Sequence, residues 1–450
     1  MEFKVSKLIE ILNAKLYSGN PEAIVSDFSI DTRTININDV YIGIKGESFD
    51  GNLFYETAFN KGASVAILDK SIEANLTKTD KTIILVENTR KALAILASWK
   101  IAQLGIPVIG ITGSVGKTST KDMIYSVVSK KYHAFKTDKN FNNDIGLPLS
   151  ILSIKDEKIA VLEMGMNHLY EISYLSNIAK PDIAIITHIL PVHIENLGTI
   201  ENILKAKLEI LEGLKEGGHF IFNNDSSHLR GVNKSHLKTI SCGIEQIDSD
   251  LQVINVTNNS FTVKYKNEEI VFKHQNLTLP FIQNTLYAIA VGIILEISFE
   301  DIEDAISNYE LTEGRLEHIG LNDNILLIDD AYNACSASMK NAVDYIVNQS
   351  GKRKIAIFGN MRELGDHAKD LHSEVGKYIS EEKIDYLLTI GDDAKHIYTN
   401  ANLTKKRHFE DKESLIASLK DFIEPEDTII IKASNGEDFK KIIDFLKDNF

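Results

Sequence analysis

The chain has 450 residues, of which 43% are hydrophobic and 25% charged, and its formal net charge is −15. This length and composition predict about three globular domains rather than a fibrous or low-complexity chain. The negative charge argues against a general nucleic-acid-binding protein and against a partner of anionic membranes, because phosphate groups select positively charged surfaces.

The cysteines and the most apolar segment indicate where the protein works. Cys242 and Cys335 match no zinc or disulfide spacing, which favours the reducing cytoplasm. The most apolar run, residues 286–295, is about half of the roughly 20 residues that span a bilayer. We therefore expect a cytoplasmic protein with no membrane partner and no nucleic-acid partner.

Residues 1–82 predict a small mixed α/β domain. Two short β-rich runs, at 40–44 and 64–68, enclose a helical pattern at 53–61. The polar and charged stretch at 71–81 is typical of a linker, and the first domain is expected to end there.

From residue 83 to residue 313, strands and helices alternate. The strands are continuous apolar runs, as expected for a parallel sheet that is covered on both faces. This pattern predicts a doubly wound α/β domain, followed by a β-hairpin around Lys266 and two helices. The strands are predicted at 83–86, 108–112, 159–163 and 182–187, the hairpin at 261–265 and 269–272, and the helices at 281–298 and 300–308.

Residues 314–450 repeat the α/β rhythm, and the boundary is placed near Gly314. Each predicted strand leads into a helical pattern, so the whole chain is assigned to the α/β class. The strands are predicted at 325–329, 354–358, 386–390 and 428–431.

A glycine-rich turn joins the strand at 108–112 to a helical pattern at 118–131, which is the setting of a phosphate-binding loop. Its glycines allow backbone N–H groups to face phosphate oxygens, and the helix N-terminus adds partial positive charge. Lys117 can bridge the β- and γ-phosphates of a nucleotide, and the Thr118 hydroxyl can bind Mg²⁺. The strict motif has glycine where this chain has Ile111. The predicted ATP-binding residues of the loop are Gly113, Ser114, Val115, Gly116, Lys117, Thr118 and Ser119.

The loop alone leaves hydrolysis, phosphoryl transfer and ligation open. Glu163 ends an apolar strand, and ligands collect at the carboxyl ends of strands in doubly wound sheets. Glu163 is therefore placed to hold Mg²⁺ beside the loop, although a carboxylate in this position can also cap a helix.

The segment from Thr112 to Ser119 resembles the ATP loop of the Mur ligases, the ATP-dependent amide ligases that build the peptidoglycan stem peptide. Further segments match in the family's order along nearly the whole chain. The resemblance implies three domains: a UDP-sugar-binding domain (1–82), a central ATP-binding P-loop domain (83–313) and a Rossmann-like amine-substrate domain (314–450).

The resemblance also implies a set of substrate and metal residues. Lys207 aligns with a lysine that several Mur ligases carry as a carbamate. It is favoured over the neighbouring Lys205 because Leu204, Leu208 and Leu211 place it next to the buried stripe of the helix. His193 matches a metal-binding histidine, and the family usually has asparagine where this chain has His188. The UDP-substrate residues are expected to be Asp31, Thr32, Arg33, Lys45 and Gly46, and the metal ligands Thr118, Glu163, His193 and Lys207.

In the second half of the chain, the resemblance implies that Asn284 contacts adenine, that Arg315 contacts the ATP phosphates and that Asp330 holds the nucleotide. Asn333 is expected near the site of acyl transfer. The catalytic residues implied are Lys117, His193, Lys207 and Asn333.

Segments 329–334 and 359–365 are most similar to the family member that joins D-alanyl-D-alanine to a UDP-N-acetylmuramoyl tripeptide. The expected activity is an ADP-forming acid–amino-acid ligation through an acyl phosphate, with ATP and Mg²⁺, by a monomer. Three residues depart from that member's pattern: Cys335 and Ser336 replace asparagine and proline, and Asn435 replaces arginine. Two alternatives stay open: a Mur-type ligase that adds a different amino acid or dipeptide, and a nucleotide-binding regulatory paralogue without ligation activity.

Overall fold

The computed structural model describes residues 3–77, 79–138, 140–275, 277–312 and 314–450. In these ranges the chain builds three α/β units, each around its own main sheet. Glu313, at the predicted boundary, lies outside the described residues. Among the described residues, no helix combines the length and the apolar character that crossing a membrane requires.

The first unit holds a sheet of five described strands in the order β2-β7-β6-β5-β4, and β1 pairs separately with β3. Its elements are β1 (Phe3–Lys4), α1 (Val5–Leu12), β2 (Lys15–Ser18), β3 (Ile24–Val25), β4 (Phe28–Ser29), β5 (Val40–Ile42), α2 (Tyr55–Lys61), β6 (Val65–Asp69) and β7 (Thr82–Val86).

The strand β7 corrects the predicted end of the first domain. It runs parallel to β6, with Val65 opposite Thr82 and Asp69 opposite Val86. A division between residues 82 and 83 would cut this strand from its own sheet, so the first unit extends through β7. An apolar run shows that a strand is buried on both faces, but it does not show which sheet the strand joins.

Helix α3 (Thr89–Leu104) connects the first two units. It begins at Asn88, whose side chain accepts a hydrogen bond from the Lys91 amide at 2.9 Å. It ends at Gly105 in the left-handed conformation. Its buried apolar residues belong to a core that also contains residues of α1 and of the central unit, so this helix fixes one unit against the other.

The central unit carries a sheet of nine described strands in the order β16-β15-β14-β13-β12-β11-β8-β10-β9. Its elements are β8 (Val108–Thr112), α4 (Lys117–Val128), β9 (Ala134–Lys136), α5 (Gly146–Ser153), β10 (Ile159–Glu163), α6 (Glu171–Ala179), β11 (Ile183–Ile186), α7 (Ile194–Leu197), α8 (Ile200–Leu208), α9 (Ile210–Gly213), β12 (His219–Asn223), α10 (Ser227–Arg230), β13 (Lys238–Gly243), β14 (Leu251–Val256), β15 (Ser260–Tyr265), β16 (Glu268–Lys273), α11 (Leu279–Ile294) and α12 (Phe299–Ser307).

Strands β8 to β14 pair in parallel with one another, β14 pairs antiparallel with β15, and the predicted hairpin is the antiparallel pair β15–β16. The connection from β10 to β11 passes across β8, so the strand order reverses beside β8. Ligands of open α/β sheets bind at such a reversal, outside the carboxyl ends of the strands. Helices α4 and α11 pack together on one face of the sheet and bring Asn284 close to the turn after β8.

The third unit has a sheet of six described strands in the order β17-β18-β22-β19-β20-β21, in which only the edge pair β17–β18 is antiparallel. All of these strands follow Gly314. Its elements are β17 (Glu317–Gly320), β18 (Leu326–Asp329), α13 (Ser336–Val347), β19 (Lys354–Phe358), α14 (Ala368–Ile379), β20 (Tyr386–Ile390), α15 (Lys395–Asn400), β21 (Lys406–Phe409), α16 (Lys412–Phe422), β22 (Thr428–Lys432) and α17 (Lys440–Asn449).

Candidate active site

The loop between β8 and α4 has the shape of an anion cradle. Gly113 and Gly116 both have positive φ, at +149° and +81°. A Cβ atom at Gly113 would lie 1.9 Å from Thr187 Oγ1, so only glycine allows the loop to pass this close to the end of β11. The loop is further fixed by Ser114, whose amide donates to the His188 carbonyl at 2.8 Å. The first turn of α4 therefore starts from a rigid base, with its free N–H groups directed at the cavity.

Lys117 lies at the start of α4 and is half-buried. Its Nζ donates to the Gly113 carbonyl at 2.9 Å, so without an anion the ammonium is held by the loop's own backbone. Burial lowers the pKa of Lys117, and the Glu163 carboxylate opposes that effect. A phosphate would supply the charge partner that this ammonium lacks.

Two buried groups beside the loop have unsatisfied atoms. Glu163, the last residue of β10, is 2% exposed, and its Oε1 accepts from Asn142 Nδ2 at 2.8 Å. Lys207 on α8 is 1% exposed. Within the described ranges, neither Glu163 Oε2 nor Lys207 Nζ has a hydrogen-bond partner. Buried polar atoms are rarely left unpaired, so both point to a bound or covalent group.

Of the two lysines of α8, Lys207 is the better candidate for the carbamate, because Lys205 is exposed to solvent. Desolvation, followed by repulsion from Lys117, holds the pKa of Lys207 well below its usual value. A neutral amine is the form that adds to CO₂, so the surroundings of Lys207 suit the carbamate that the sequence comparison implied.

His193 lies in the loop after β11 with φ +60°. Its Nδ1 contacts the carboxylate of Glu363 from the third unit. Its contact with His193 holds the pKa of Glu363 below its usual range, so this carboxylate stays ionised. The nearby His188 is buried, which lowers its pKa to about 4 and keeps it neutral. In the described part of the chain, no three His, Cys, Asp or Glu side chains converge as a metal site. A metal held here would therefore need oxygen ligands from Thr118 or from a carboxylated Lys207.

A cavity of about 250 Å³ brings Lys117, Glu163 and His193 together with the third unit, whereas Lys207 is not among the residues that line it. Of the predicted site residues, Thr118 is almost fully buried at its wall, and Asn333 contributes from the third unit. The predicted residues that line the cavity are Ser114, Val115, Gly116, Lys117, Thr118, Glu163, His193, Arg315 and Asn333.

A second cavity of about 310 Å³ shares Gly116 and Arg315 with the first and is lined mainly by apolar side chains. Asn284 lies in its wall, where its Oδ1 accepts from Thr120 at 3.0 Å, so its amide nitrogen is the group left to bind a ligand. An apolar slot with a few polar groups is typical of a site for a flat heterocycle. The predicted residues Ser119 and Asp330 also line this slot.

Arg315 lies between the two cavities. Its guanidinium stacks on the Tyr332 ring at 4.2 Å, and its buried Nε has no partner. Asp330 accepts a 2.6 Å hydrogen bond from Lys432 Nζ, which is 1% exposed and also donates to the Asn333 carbonyl at 3.0 Å. Lys432 therefore fixes the loop that carries Asp330 and Asn333.

The five predicted UDP-substrate residues form a separate group on the first unit. Asp31, Thr32, Arg33, Lys45 and Gly46 are not among the residues that line either cavity. The Arg33 side chain is 86% exposed and pairs with Asp31 at 2.6 Å, which lowers the pKa of Asp31. The Lys45 carbonyl accepts from Arg90 at 3.2 Å, and Arg90 also pairs with Asp144 of the central unit at 2.9 Å.

Family models match three parts of the chain. Residues 25–100 match a "Mur ligase family, catalytic domain", residues 111–292 a "Mur ligase middle domain", and residues 314–435 a "Mur ligase, glutamate ligase domain". UDP-N-acetylmuramoyl-tripeptide–D-alanyl-D-alanine ligase from Bacillus subtilis is 37% identical over 98% of this chain and 97% of its own. The chain belongs to the Mur ligase family.

Solved Mur ligases share the fold over their full length. A crystal structure of MurF from Acinetobacter baumannii superposes with a TM-score of 0.91 at 26% identity, covering 100% of this chain and 99% of its own. MurF from Thermotoga maritima in complex with ADP gives a TM-score of 0.84 at 26% identity, covering 94% and 98%. The ligase of the same name from Escherichia coli is 30% identical over 99% and 98% of the two chains.

Sequence reasoning assigned no role to four residues that the structure connects to this Mur ligase site. Tyr332 stacks on Arg315, Asn142 donates to Glu163, and Lys432 holds Asp330. Glu363 contacts His193. Tyr332 and Glu363 lie in the segments 329–334 and 359–365 that the family resemblance singled out, but pairings between distant parts of the chain are not visible in a single sequence.

Proposed function

We propose that this Mur ligase joins D-alanyl-D-alanine to a UDP-N-acetylmuramoyl tripeptide, converting ATP to ADP and phosphate in peptidoglycan precursor synthesis. The relatives that carry this name cover the chain from end to end. One structural observation carries the proposal. The P-loop residue Lys117 and the third-unit residues Arg315 and Asn333 line one cavity, which supports a nucleotide phosphate and an acyl transfer site lying next to each other.

ATP is needed because resonance and negative charge make a carboxylate a poor electrophile. An oxygen of the tripeptide carboxylate attacks the γ-phosphorus; the bond from that phosphorus to the β,γ-bridging oxygen breaks, and ADP leaves. The amine then attacks the acyl carbon, and the tetrahedral intermediate expels phosphate with one former carboxylate oxygen. Lys117 and Arg315 stabilise the charge that develops on the phosphoryl oxygens, and the amine loses a proton as the amide forms.

Mg²⁺ fits the groups present, because Glu163 has an unpartnered oxygen and Lys207 is a buried amine without a partner. Thr118, Glu163, His193 and a carbamylated Lys207 would hold it. When bound, Mg²⁺ would neutralise phosphate charge during transfer. The carbamate matters because an ammonium would repel the cation, whereas a carboxylate on the lysine stem attracts it.

The adenosine part of ATP and the UDP-sugar are assigned to other residues. Asn284 and Asp330 would orient the adenosine part of ATP in the apolar slot. The cations Arg33 and Lys45 would offset diphosphate charge of the UDP-sugar, with Asp31, Thr32 and Gly46 shaping that site. The proposed active unit is a monomer. The described cysteines are free, which supports action in the reducing cytoplasm.

One observation favours a second candidate, a ligase of the same type with a different amine. Cys335 and Asn435 line the cavity near Asn333, at positions where the sequence departs from the family pattern. The absence of an arginine at 435 removes a guanidinium that would recognise a substrate carboxylate.

An amine panel separates the two candidates. Phosphate release is measured with a UDP-N-acetylmuramoyl tripeptide, ATP and either D-alanyl-D-alanine, D-alanine, L-alanyl-L-alanine or no amine. We expect turnover with D-alanyl-D-alanine at least about tenfold above any other amine, since one missing substrate contact costs on the order of 1–3 kcal/mol. Faster turnover with another amine would favour the second candidate. ADP formation that ignores the amine would contradict both.

A further inference from the structure

The loop between β19 and α14 brings Glu363 from the third unit to His193 in the central unit. The carboxylate contacts Nδ1 of the imidazole, and among the described residues Nδ1 makes no other polar contact and no hydrogen bond of regular geometry. Both residues adopt left-handed backbone conformations, with φ +60° at His193 and φ +62° at Glu363. Such conformations are costly for residues with side chains and persist where the surroundings impose them. Two strained residues therefore face each other across the boundary between two units.

The loop of Glu363 is rigidly attached to its own unit. The Met361 amide donates to Nε2 of the fully buried His372 at 2.9 Å. The next amide, that of Arg362, donates to Ser434 Oγ at 2.9 Å. Glu363 is consequently presented by a fixed loop, and its position follows the third unit as a body.

The backbones around the contact also meet. The Glu195 amide donates to the Glu363 carbonyl at 3.4 Å. A Cβ atom at Gly365 would lie 3.1 Å from the Glu195 side chain, so the two loops are in close approach. The contact between Glu363 and His193 therefore forms only when the third unit is docked on the central unit.

We propose that Glu363 is a positioning residue that accepts a hydrogen bond from Nδ1–H of His193 and leaves Nε2 as the one nitrogen able to bind a cation. An ionised carboxylate only accepts hydrogen bonds, so Nδ1 carries the proton and the lone pair stays on Nε2. Docking of the third unit thereby completes the cation site of the central unit. This inference rests on the proposed metal role of His193.

The expected size of the effect follows from similar arrangements. A carboxylate on the far nitrogen of a metal-binding histidine fixes the tautomer and ring orientation, and its loss typically weakens metal binding by about 10- to 100-fold. Here the carboxylate arrives with another unit, so cation binding and docking are coupled.

The test compares Glu363→Ala, Glu363→Gln and Asp366→Ala in the full chain. Asp366 is an exposed carboxylate on the same loop and serves as the matched control. Mn²⁺ binding is followed by electron paramagnetic resonance in the presence of ADP. We expect Glu363→Ala to weaken Mn²⁺ binding by about 10- to 100-fold. Glu363→Gln should retain most of the affinity, because its amide oxygen accepts the same hydrogen bond, and Asp366→Ala should match the wild type.

A measurement of the His193 tautomer distinguishes the loss of its hydrogen bond from a general structural change caused by Glu363→Ala. In the metal-free enzyme, nitrogen-15 spectra should show that the Nδ1–H tautomer of His193 predominates in the wild type and in Glu363→Gln. In Glu363→Ala this tautomer should no longer predominate. Unchanged Mn²⁺ affinity or an unchanged tautomer in Glu363→Ala would overturn the proposal.

His193→Ala separates this inference from the proposed function. If His193→Ala leaves Mn²⁺ affinity unchanged, the metal role of His193 fails, and the role of Glu363 fails with it, while ligation itself stands. If His193→Ala weakens Mn²⁺ binding and Glu363→Ala does not, only the inference about Glu363 fails. When both variants weaken binding, the double variant should be no weaker than His193→Ala alone.

Discussion

Replacing Lys207 with methionine is expected to lower the ligation rate by about 10³-fold, since a cation site that loses an anionic ligand loses several kcal/mol of charge stabilisation. The side chain is 1% exposed, and its Nζ has no hydrogen-bond partner. A buried amine without a partner destabilises the folded state unless it is modified. Methionine has a similar volume, so the substitution should preserve packing. The rate is measured as amide formation with saturating ATP and both substrates.

The stability of the Lys207→Met variant supplies an independent expectation. Because methionine removes an unpartnered polar group, the free energy of unfolding should be unchanged or higher, as measured by thermal denaturation. Lys205→Met is the matched control, since Lys205 is exposed on the same helix, and it should keep wild-type activity. Wild-type activity in Lys207→Met, or a loss equal to that of Lys205→Met, would contradict the role of the carbamate.

Lys117→Met is expected to lower the rate by about 10²- to 10³-fold, the usual cost of removing one charge-stabilising donor from a transferring group. Among the described residues, the Lys117 ammonium donates only to the loop carbonyls of Gly113 and Ser114, so it is free to move to a phosphate. The Michaelis constant for ATP should rise as well, because the donor contacts the nucleotide before and during transfer. Steady-state phosphate release over a range of ATP concentrations measures both effects.

Lys130→Met controls for the loss of a lysine near the same helix. Lys130 pairs with Asp304 at the surface, and surface ion pairs contribute about 0–1 kcal/mol, so this variant should turn over normally. Equal kinetics in Lys117→Met and the wild type would mean that the loop does not hold the reacting phosphate.

Local features of the site follow from the sequence. The strand, glycine turn and helix of the P-loop are encoded within a short segment, and the helix predicted at 118–131 is α4 (Lys117–Val128). The hairpin predicted around Lys266 is the pair β15–β16. Each of these depends on residues that are close together in the chain, so pattern and turn chemistry are sufficient to predict them.

Features that depend on distant pairing could not be predicted in the same way. The strand β7 was expected in the central domain, because an apolar run carries no information about its partner. The contact between Lys432 and Asp330 joins residues 102 positions apart, and Glu363 meets His193 only after two units dock.

The transfer of oxygen from the tripeptide to phosphate tests the central claim most directly. The tripeptide substrate is prepared with both oxygens of its reacting carboxylate labelled with oxygen-18 and is incubated with ATP and D-alanyl-D-alanine. If ATP activates the carboxyl group as an acyl phosphate, each released phosphate carries one labelled oxygen, and ADP is the nucleotide product. Unlabelled phosphate, or AMP in place of ADP, would contradict the account.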